Sequence, residues 1–510
     1  MDKIVVLDFG SQYSHLICRR IRESNVYCEL LPFNSPASLI KKLQPKGIVL
    51  SGGPSSVYQK GSPKPDIKIF KMGIPVLGIC YGHQLIVDHF NGKIKRFENR
   101  EYGYSDLVID NNSDLFKGIN KKIKCWMSHA DAAEIIPNDF EILAHTENSD
   151  SAAIANRVRK FYGIQFHPEV SHTEEGNRIL RNFSQAISKA KPDWTMQSFI
   201  DFSIKDIKNK VGDSRVLCAI SGGIDSTTLA VLLNKAIGKN LTCVFVNNGL
   251  LRLNEEIQVH ELINKYLGIN TIKINAEERF LSNLKGISDP EQKRKIIGEE
   301  FAQVFVEVTR DYGPFQWLAQ GTLYPDVIES GLSKGPAAVI KTHHNVGGLP
   351  EWLNLEVLEP FRSLYKDEVR QIAALLEIPD EIIKRHPFPG PGLAVRIIGE
   401  VTDEKIRIVR QASNIVENEL MTSGWYNKVW QAYAAVGDDL AVGVLGDERV
   451  YGHIVTVRIV ESLDAMTADW SRIPYDLLSK ISNRITNEIN GVTWVTYTIS
   501  SKPPATIEPQ

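Results

Sequence analysis

Cysteine is scarce in this chain: six residues in 510, at positions 18, 28, 80, 125, 218 and 243, with no C-x-x-C pair. Such dispersion excludes a disulfide framework and reads as reduced thiols in a cytoplasmic protein. Net charge is nearly absent as well, at -2, which removes any global reason to expect nucleic acid or an anionic membrane as partner. No apolar run reaches membrane-spanning length, and Met1–Asp8 reads as a strand rather than a signal peptide. Internal repeats and low-complexity tracts are missing too. What is present is ordinary for a globular protein, 43% hydrophobic and 24% charged, in a chain too long for one core and sufficient for about three domains.

Short apolar runs at Lys3–Leu7, Gly47–Leu50 and Pro75–Ile79 end in loops rich in small residues, the pattern of buried parallel strands. Functional loops then belong at their carboxyl ends. The polar, proline-containing segment Lys189–Trp194 marks a boundary, so 1–190 is predicted as a first α/β domain. Beyond it the sequence predicts a helix over 195–211, strand 215–220, helix 227–237 and strand 241–246, opening a second α/β unit over 191–385. His386-Pro-Phe-Pro-Gly-Pro-Gly392 is the densest proline–glycine stretch and is predicted to be a hinge or functional loop. The remainder, 386–510, reads as strand 393–398, helix 403–421, strands 428–435 and 451–460, helix 474–489 and strand 492–500. That β-α-β-β-α-β order predicts a small α+β domain.

Two loops carry chemistry. In Pro75-Val-Leu-Gly-Ile-Cys-Tyr-Gly-His-Gln84 an apolar strand ends in Gly-x-Cys-x-Gly, a nucleophile elbow with sulfur in place of oxygen. Gly78 and Gly82 leave room for the sharp turn, and the helix that follows favours thiolate over thiol at Cys80. A second strand, Phe161–Phe166, ends in His167-Pro-Glu169, which supplies a base and a carboxylate to orient it. The Ser51-Gly-Gly-Pro54 loop could bring the N–H groups of Gly52 and Gly53 to a substrate carbonyl, forming with the Tyr81 N–H an oxyanion hole. His83, His129 and His172 have no partner visible in the sequence and read as structural or surface residues.

The other loop is Ser221-Gly222-Gly223-Ile224-Asp225-Ser226-Thr227. It lacks the Gly-Lys-Ser/Thr ending of a Walker A loop. Its glycines still expose successive N–H groups as an anion nest at a helix N-terminus. Ser221, Ser226 and Thr227 add hydroxyl donors, and Asp225 suits Mg²⁺ beside the phosphates of ATP. The loop resembles that of the ATP pyrophosphatases, and the next strand end, Val246-Asn-Asn-Gly-Leu-Leu-Arg252, lies where such proteins hold adenosine, with a surface role as the alternative for Arg252.

On the elbow and His-Pro-Glu motifs, residues 1–190 resemble class I glutamine amidotransferases. That resemblance implies that Cys80 attacks the side-chain amide of glutamine, His167 protonates departing ammonia and Glu169 holds His167. The second loop resembles the PP-loop of the ATP pyrophosphatases, which cleave ATP between its α and β phosphates. Asp289–Gly298, Ala319–Ser330, Lys341–Pro350, His386–Leu393, Met466–Trp470 and Ser501–Glu508 further resemble the GMP synthetases, in the same order along the chain. This family resemblance implies XMP as acceptor, Arg294 and Lys502 for its phosphate, Glu508 for its purine or ribose, and a homodimer formed through the C-terminal domain. Gly331, Gly335, Gly347 and Gly348 give Gly331–Pro350 the hinge freedom of a lid in which Lys334 or Lys341 senses the phosphates, with a surface connection as the alternative, and for Arg294 and Lys341 solvated charge is the alternative. The family's tail ends Thr-Ile-Glu-Trp-Glu, whereas here Pro509-Gln510 replaces the last pair. Alternatives are another glutamine-fed PP-loop enzyme such as an NAD synthetase, a nucleotide sensor with decayed sites, and an RNA-binding tail, which would lack an aromatic strand for bases to stack on.

Overall fold

The computed structural model describes residues 1–263, 268–269, 271–329, 355–445, 447–462 and 467–510. These form two compact units, one of Met1–Phe199 and one beginning at Ile200.

The first unit is built on nine strands: β1 Lys3–Asp8, β2 Tyr27–Pro32, β3 Gly47–Leu50, β4 Val76–Ile79, β5 Lys93–Ile109, β6 Lys122–Ile135, β7 Glu141–His145, β8 Ala153–Asn156 and β9 Phe161–Ile164. Their order in the sheet is β2-β1-β3-β4-β9-β8-β7-β5-β6. The first five are parallel and the rest antiparallel. Consecutive residues of a strand point to opposite faces, and β1 shows the result. Ile4 and Val6 enter one hydrophobic core, Val5 and Leu7 another. Both faces are thus covered, which is why these strands read as unbroken apolar runs.

The second unit contains a five-stranded parallel sheet made of β10 Val216–Ala219, β11 Leu241–Asn247, β12 Thr271–Asn275, β13 Trp317–Ala319 and β14 Glu356–Leu358. Its order, β12-β11-β10-β13-β14, turns back between β10 and β13. At such a switch point the loops leaving neighbouring strands diverge and open a crevice at their carboxyl ends.

A second sheet in this unit holds β15 Gln431–Leu445, β16 Glu448–Glu461, the two-residue β17 Asp469–Trp470 and β18 Val492–Tyr497. Helices Asp403–Thr422 and Tyr475–Glu488 pack on it. One continuous core runs from Leu217 and Val244 of the parallel sheet through Leu393 and Ile408 to Val457 and Val492. The strand predicted at 393–398 is absent. Gly392–Arg396 forms a 3-10 turn instead, and only Ile397 makes a β-bridge, to Val436. Pro389 and Pro391 supply no backbone N–H for a ladder. Gly392, at φ +64°, sits where a Cβ would come 2.5 Å from the Leu250 carbonyl oxygen.

Candidate active sites

The first site lies where β3, β4 and β9, neighbours in the sheet, release their loops. Register sets Gly78 beside Gly163 and Ile79 beside Ile164. Cys80 directly follows β4 and His167 lies just beyond β9, so the two emerge together. Cys80 caps helix Tyr81–His89 with φ 53°, a left-handed backbone costing a non-glycine residue about 1–3 kcal/mol. Its flanking glycines make the turn possible. A Cβ on Gly78 would fall 2.3 Å from the Gly82 carbonyl oxygen, and one on Gly82 would fall 2.3 Å from that of Leu50. Tyr81 is the first helical residue, so its N–H has no acceptor within the helix.

Gly52 borders the same space: a Cβ there would stand 3.2 Å from His167 Cε1 and 3.7 Å from Cys80 Cβ. Gly53 is confined by Phe9, whose carbonyl oxygen lies 2.7 Å from where its Cβ would be. Gln165 Nε2 donates to Cys80 Sγ at 3.6 Å, a contact not read from the sequence although Gln165 sits in the strand-end motif. The Ser128 carbonyl oxygen is 3.9 Å from the same sulfur. Behind them, His167 Nδ1 meets Glu169 Oε1 at 2.7 Å, and Tyr13 presents its ring edge-on to the imidazole. Glu169 is fully buried and its Oε2 has no hydrogen-bond partner among the described residues.

Burial disfavours the imidazolium of His167, but the Glu169 charge and the hydrogen bonds to Cys80 and Glu169 outweigh it and hold the pKa well above the ordinary value. The protonated imidazole is therefore favoured, the form from which a proton could pass to a leaving amine. The sign of a test follows. Glu169→Gln removes the principal raising influence, so the proton is lost at lower pH, and the His167 titration midpoint followed by NMR is expected to move to lower pH.

The three other histidines of this unit singled out in the sequence take structural, core and surface places. His83 is structural: it is fully buried, its pKa is pushed down to about 3 by burial and then by His129, and a Cβ on Gly163 would strike its Nδ1 at 2.3 Å. His129 does have a partner, Glu101 Oε2 at 3.1 Å. His172 also has neighbours, lying against Trp126 with ring centroids 4.5 Å apart and near Tyr104.

The second site occupies the switch point of the parallel sheet. Ser221–Thr227 leaves β10, and helix Ile224–Ile237 begins within it. Gly222 has φ +76°, and a Cβ there would meet Val259 at 2.3 Å. Ser226 Oγ accepts from the Ser221 N–H at 3.1 Å and lies 3.0 Å from Ser221 Oγ, so the hydroxyls fix the loop's shape. Thr227 is fully buried and its hydroxyl has no partner among the described residues. Asp225 pairs through Oδ2 with Lys366, while its Oδ1 is buried without a hydrogen-bond partner among those residues. Gly321, just past β13, faces Asp225, with its absent Cβ 3.6 Å from the Asp225 Cβ. Lys366 was not legible in the sequence, because it comes from a helix far along the chain from the loop.

Arg252 is not a surface cation. Its side chain is 9% exposed, donates to the His386 carbonyl oxygen at 2.8 Å, pairs with Glu255 at 3.3 Å and stacks over Phe388. The residues assigned to an acceptor nucleotide are placed as follows. Arg294 pairs with Glu291, one turn back on helix Pro290–Tyr312. Its neighbour Lys293 reaches the chain's end instead: Nζ donates to Ile397 O at 2.6 Å and Gln510 Oε1 at 2.7 Å, and burial lowers its pKa to about 8. Glu508 accepts from buried Arg396 at 2.9 and 3.1 Å and from Gln431 at 2.5 Å. Lys502 exchanges main-chain hydrogen bonds with Ala468. Ala468 borders an open cavity of about 1080 Å³ whose walls include Arg370, Lys384, Arg385, Lys428 and Trp430. Lys334, Lys341 and the Gly331–Pro350 lid lie outside the described residues.

Comparison with known proteins assigns all three regions. Residues 5–187 match the family model "Glutamine amidotransferase class-I", 196–302 match "NAD synthase" and 418–509 match "GMP synthase C terminal domain". The chain is 54% identical over 507 residues to "GMP synthase [glutamine-hydrolyzing]" of Caldanaerobacter subterraneus subsp. tengcongensis, covering 99% of each. It is 52% identical over 508 residues to the protein of the same name from Brachyspira hyodysenteriae, covering 100% of this chain and 99% of that one. With the protein of that name from Carboxydothermus hydrogenoformans it shares 53% identity over 507 residues.

Proposed function

Because the chain belongs to the family of glutamine-hydrolysing GMP synthases, we propose that its two sites divide one reaction. The enzyme is a ligase with amidotransferase activity, and glutamine and ATP are its substrates. It aminates XMP: XMP, ATP, glutamine and water give GMP, AMP, pyrophosphate and glutamate. The NAD synthetase alternative yields to relatives that match from end to end and to the GMP synthase model at 418–509.

The observation that carries the division is the assembly of Cys80, after β4, with His167 and Glu169, after the neighbouring β9, remote in sequence from the Ser221–Thr227 nest. In this reading Cys80 attacks the glutamine amide, the N–H groups of Gly53 and Tyr81 receive the oxyanion, and His167 delivers its proton to ammonia. Glu169 keeps the imidazole oriented. Water then releases glutamate. At the second site the N–H groups of Gly222 and Gly223, Ile224 and the hydroxyls of Ser221 and Ser226 hold ATP phosphates, with Thr227 supporting the helix start. Asp225 Oδ1, buried and unpartnered, suits Mg²⁺, which would neutralise phosphate charge. The XMP oxygen takes the adenylyl group, and ammonia displaces AMP.

For XMP itself, the basic cavity beside Lys502 supports a nucleotide monophosphate, with Glu508 held ready by Arg396 and Arg294 a more distant contributor. Lys334 and Lys341 belong to the same proposal. Analysis of products by mass spectrometry, with ATP, glutamine and XMP or nicotinate adenine dinucleotide, tests the whole. AMP and pyrophosphate with GMP are expected, and ADP with phosphate would overturn it.

We assign a homodimer to the C-terminal sheet, where Leu440, Val442, Val444, Tyr451 and Trp494 are exposed, Val442 opposite Tyr451 in register. Val442→Asp is expected to halve the mass seen in sedimentation. A cytoplasmic setting is supported by six free cysteines, and no described helix is long and apolar enough to cross a membrane.

A further inference from the structure

The loop that leaves β3 carries Gly52 and Gly53 to the thiol, yet it is long and its tip is open, with Tyr58 54% exposed. Its root is fixed at Ser51, whose Oγ accepts from the Phe9 N–H at 3.0 Å and whose carbonyl oxygen accepts from the Gly82 N–H at 3.1 Å, Val57 is buried in the core, and Lys64 pairs with Asp88 at 3.0 Å. Two further contacts fasten it. Tyr81 Oη donates to the Pro63 carbonyl oxygen at 2.7 Å, tying the far end to the residue after the nucleophile. Closer to the glycines, Ser56 Oγ and Tyr58 Oη both donate to the carboxylate of Asp131, the latter at 2.9 Å. Asp131 belongs to β6, is only 7% exposed, and pairs with no cation among the described residues. A buried carboxylate in that position depends on its hydrogen bonds. The same residue's main-chain oxygen accepts from Gln84 Nε2 at 2.7 Å, on the helix that Cys80 caps.

We propose that Asp131 is a positioning residue of the glutaminase site, clamping the Gly52–Gly53 turn to the nucleophile elbow through Ser56, Tyr58 and Gln84. The inference rests on Cys80 as nucleophile and on the oxyanion role of the glycine loop. Donors to a developing oxyanion act only when preset to within a few tenths of an ångström. Without Asp131 the polar contacts between the Ser51 root and Pro63 would be lost, leaving the Gly53 N–H less firmly placed while glutamine still bound elsewhere in the pocket. The loss therefore falls on turnover rather than on binding.

The test uses the full chain. Asp131→Asn keeps the side chain's size and one acceptor oxygen but gives up the second. Glutaminase kcat is expected to fall about ten- to a hundred-fold, less than outright loss of an oxyanion donor. KM for glutamine should change less than about three-fold, the pattern of an interaction made only in the transition state. Ammonia-dependent synthesis should be unchanged. The pair Ser56→Ala with Tyr58→Phe should reproduce the defect, and adding Asp131→Asn to that pair should bring no further loss. Wild-type kcat in Asp131→Asn, or in the hydroxyl pair while Asp131→Asn is impaired, would overturn the clamp. Should Asp131→Asn fail to fold, the hydroxyl pair decides alone. Cys80→Ala measured alongside separates the two readings, since residual glutaminase there would refute the nucleophile and not the clamp.

Discussion

Cys80→Ala is expected to remove glutamine-dependent GMP formation and to leave synthesis from added ammonia close to wild type. Removing the nucleophile from a catalytic triad costs on the order of a million-fold in turnover. The substitution is otherwise mild. Alanine tolerates φ 53° no worse than cysteine, so no new backbone strain is introduced. Only the sulfur is lost, with its contacts to Gln165 Nε2 and the Ser128 carbonyl oxygen, and a one-atom void costs about 1 kcal/mol. The protein should therefore stay folded while one activity vanishes. Glutamate release and GMP formation, each assayed with glutamine and with ammonium, decide it, and equal loss of both routes in a folded variant would refute a division of labour between the units.

The complementary result is expected from Asp225→Asn. Both routes should fail, because neither glutamine nor ammonia can be used without an activated acceptor. The substitution keeps the shape of the loop but removes the negative charge, leaving Lys366 without its partner and taking from Oδ1 the charge that a cation needs. Stability should hardly change, since an acidic residue in the first turn of a helix contributes about 0.3–1 kcal/mol. A near-complete loss of AMP and pyrophosphate from labelled ATP, in a protein with an almost unchanged melting temperature, is the expected outcome. Full activity in this variant would exclude Asp225 from the nucleotide site.

Much of this was legible in the sequence because it is local. Gly-Ile-Cys-Tyr-Gly, His-Pro-Glu and Ser-Gly-Gly-Ile-Asp-Ser each place their functional groups within a few residues of a strand end, and apolar runs reveal the strands. What stayed hidden was mostly contact between distant segments. Glu101 reaches His129 across a hairpin whose register shifts between Arg96 and Glu101, so counting along either strand misaligns them. Lys366 finds Asp225, and Asp131 finds Ser56 and Tyr58, through the stacking order of strands rather than through spacing. Arg252 looks like a surface residue because arginine usually is one. Its burial depends on Glu255 and Phe388 arriving from either side. At 393–398 a β-branched, apolar run resembled a strand, but Gly392 and its prolines had already turned the backbone.

The continuous core of the second unit has a consequence for how that part of the molecule comes apart. Leu217 and Val492, far separated in sequence, belong to one packed cluster, with Leu393 and Ile408 bridging between the two sheets. Neither sheet can shed its partner without leaving a wide apolar face wet, so the two melt together as a single cooperative block. Trp317 in the parallel sheet and Trp494 in the C-terminal one would report one midpoint, not two. A cut at the proline–glycine run would accordingly yield two unstable fragments in place of two modules, and the heritable piece, the one that could be moved intact to another protein, is the unit as a whole.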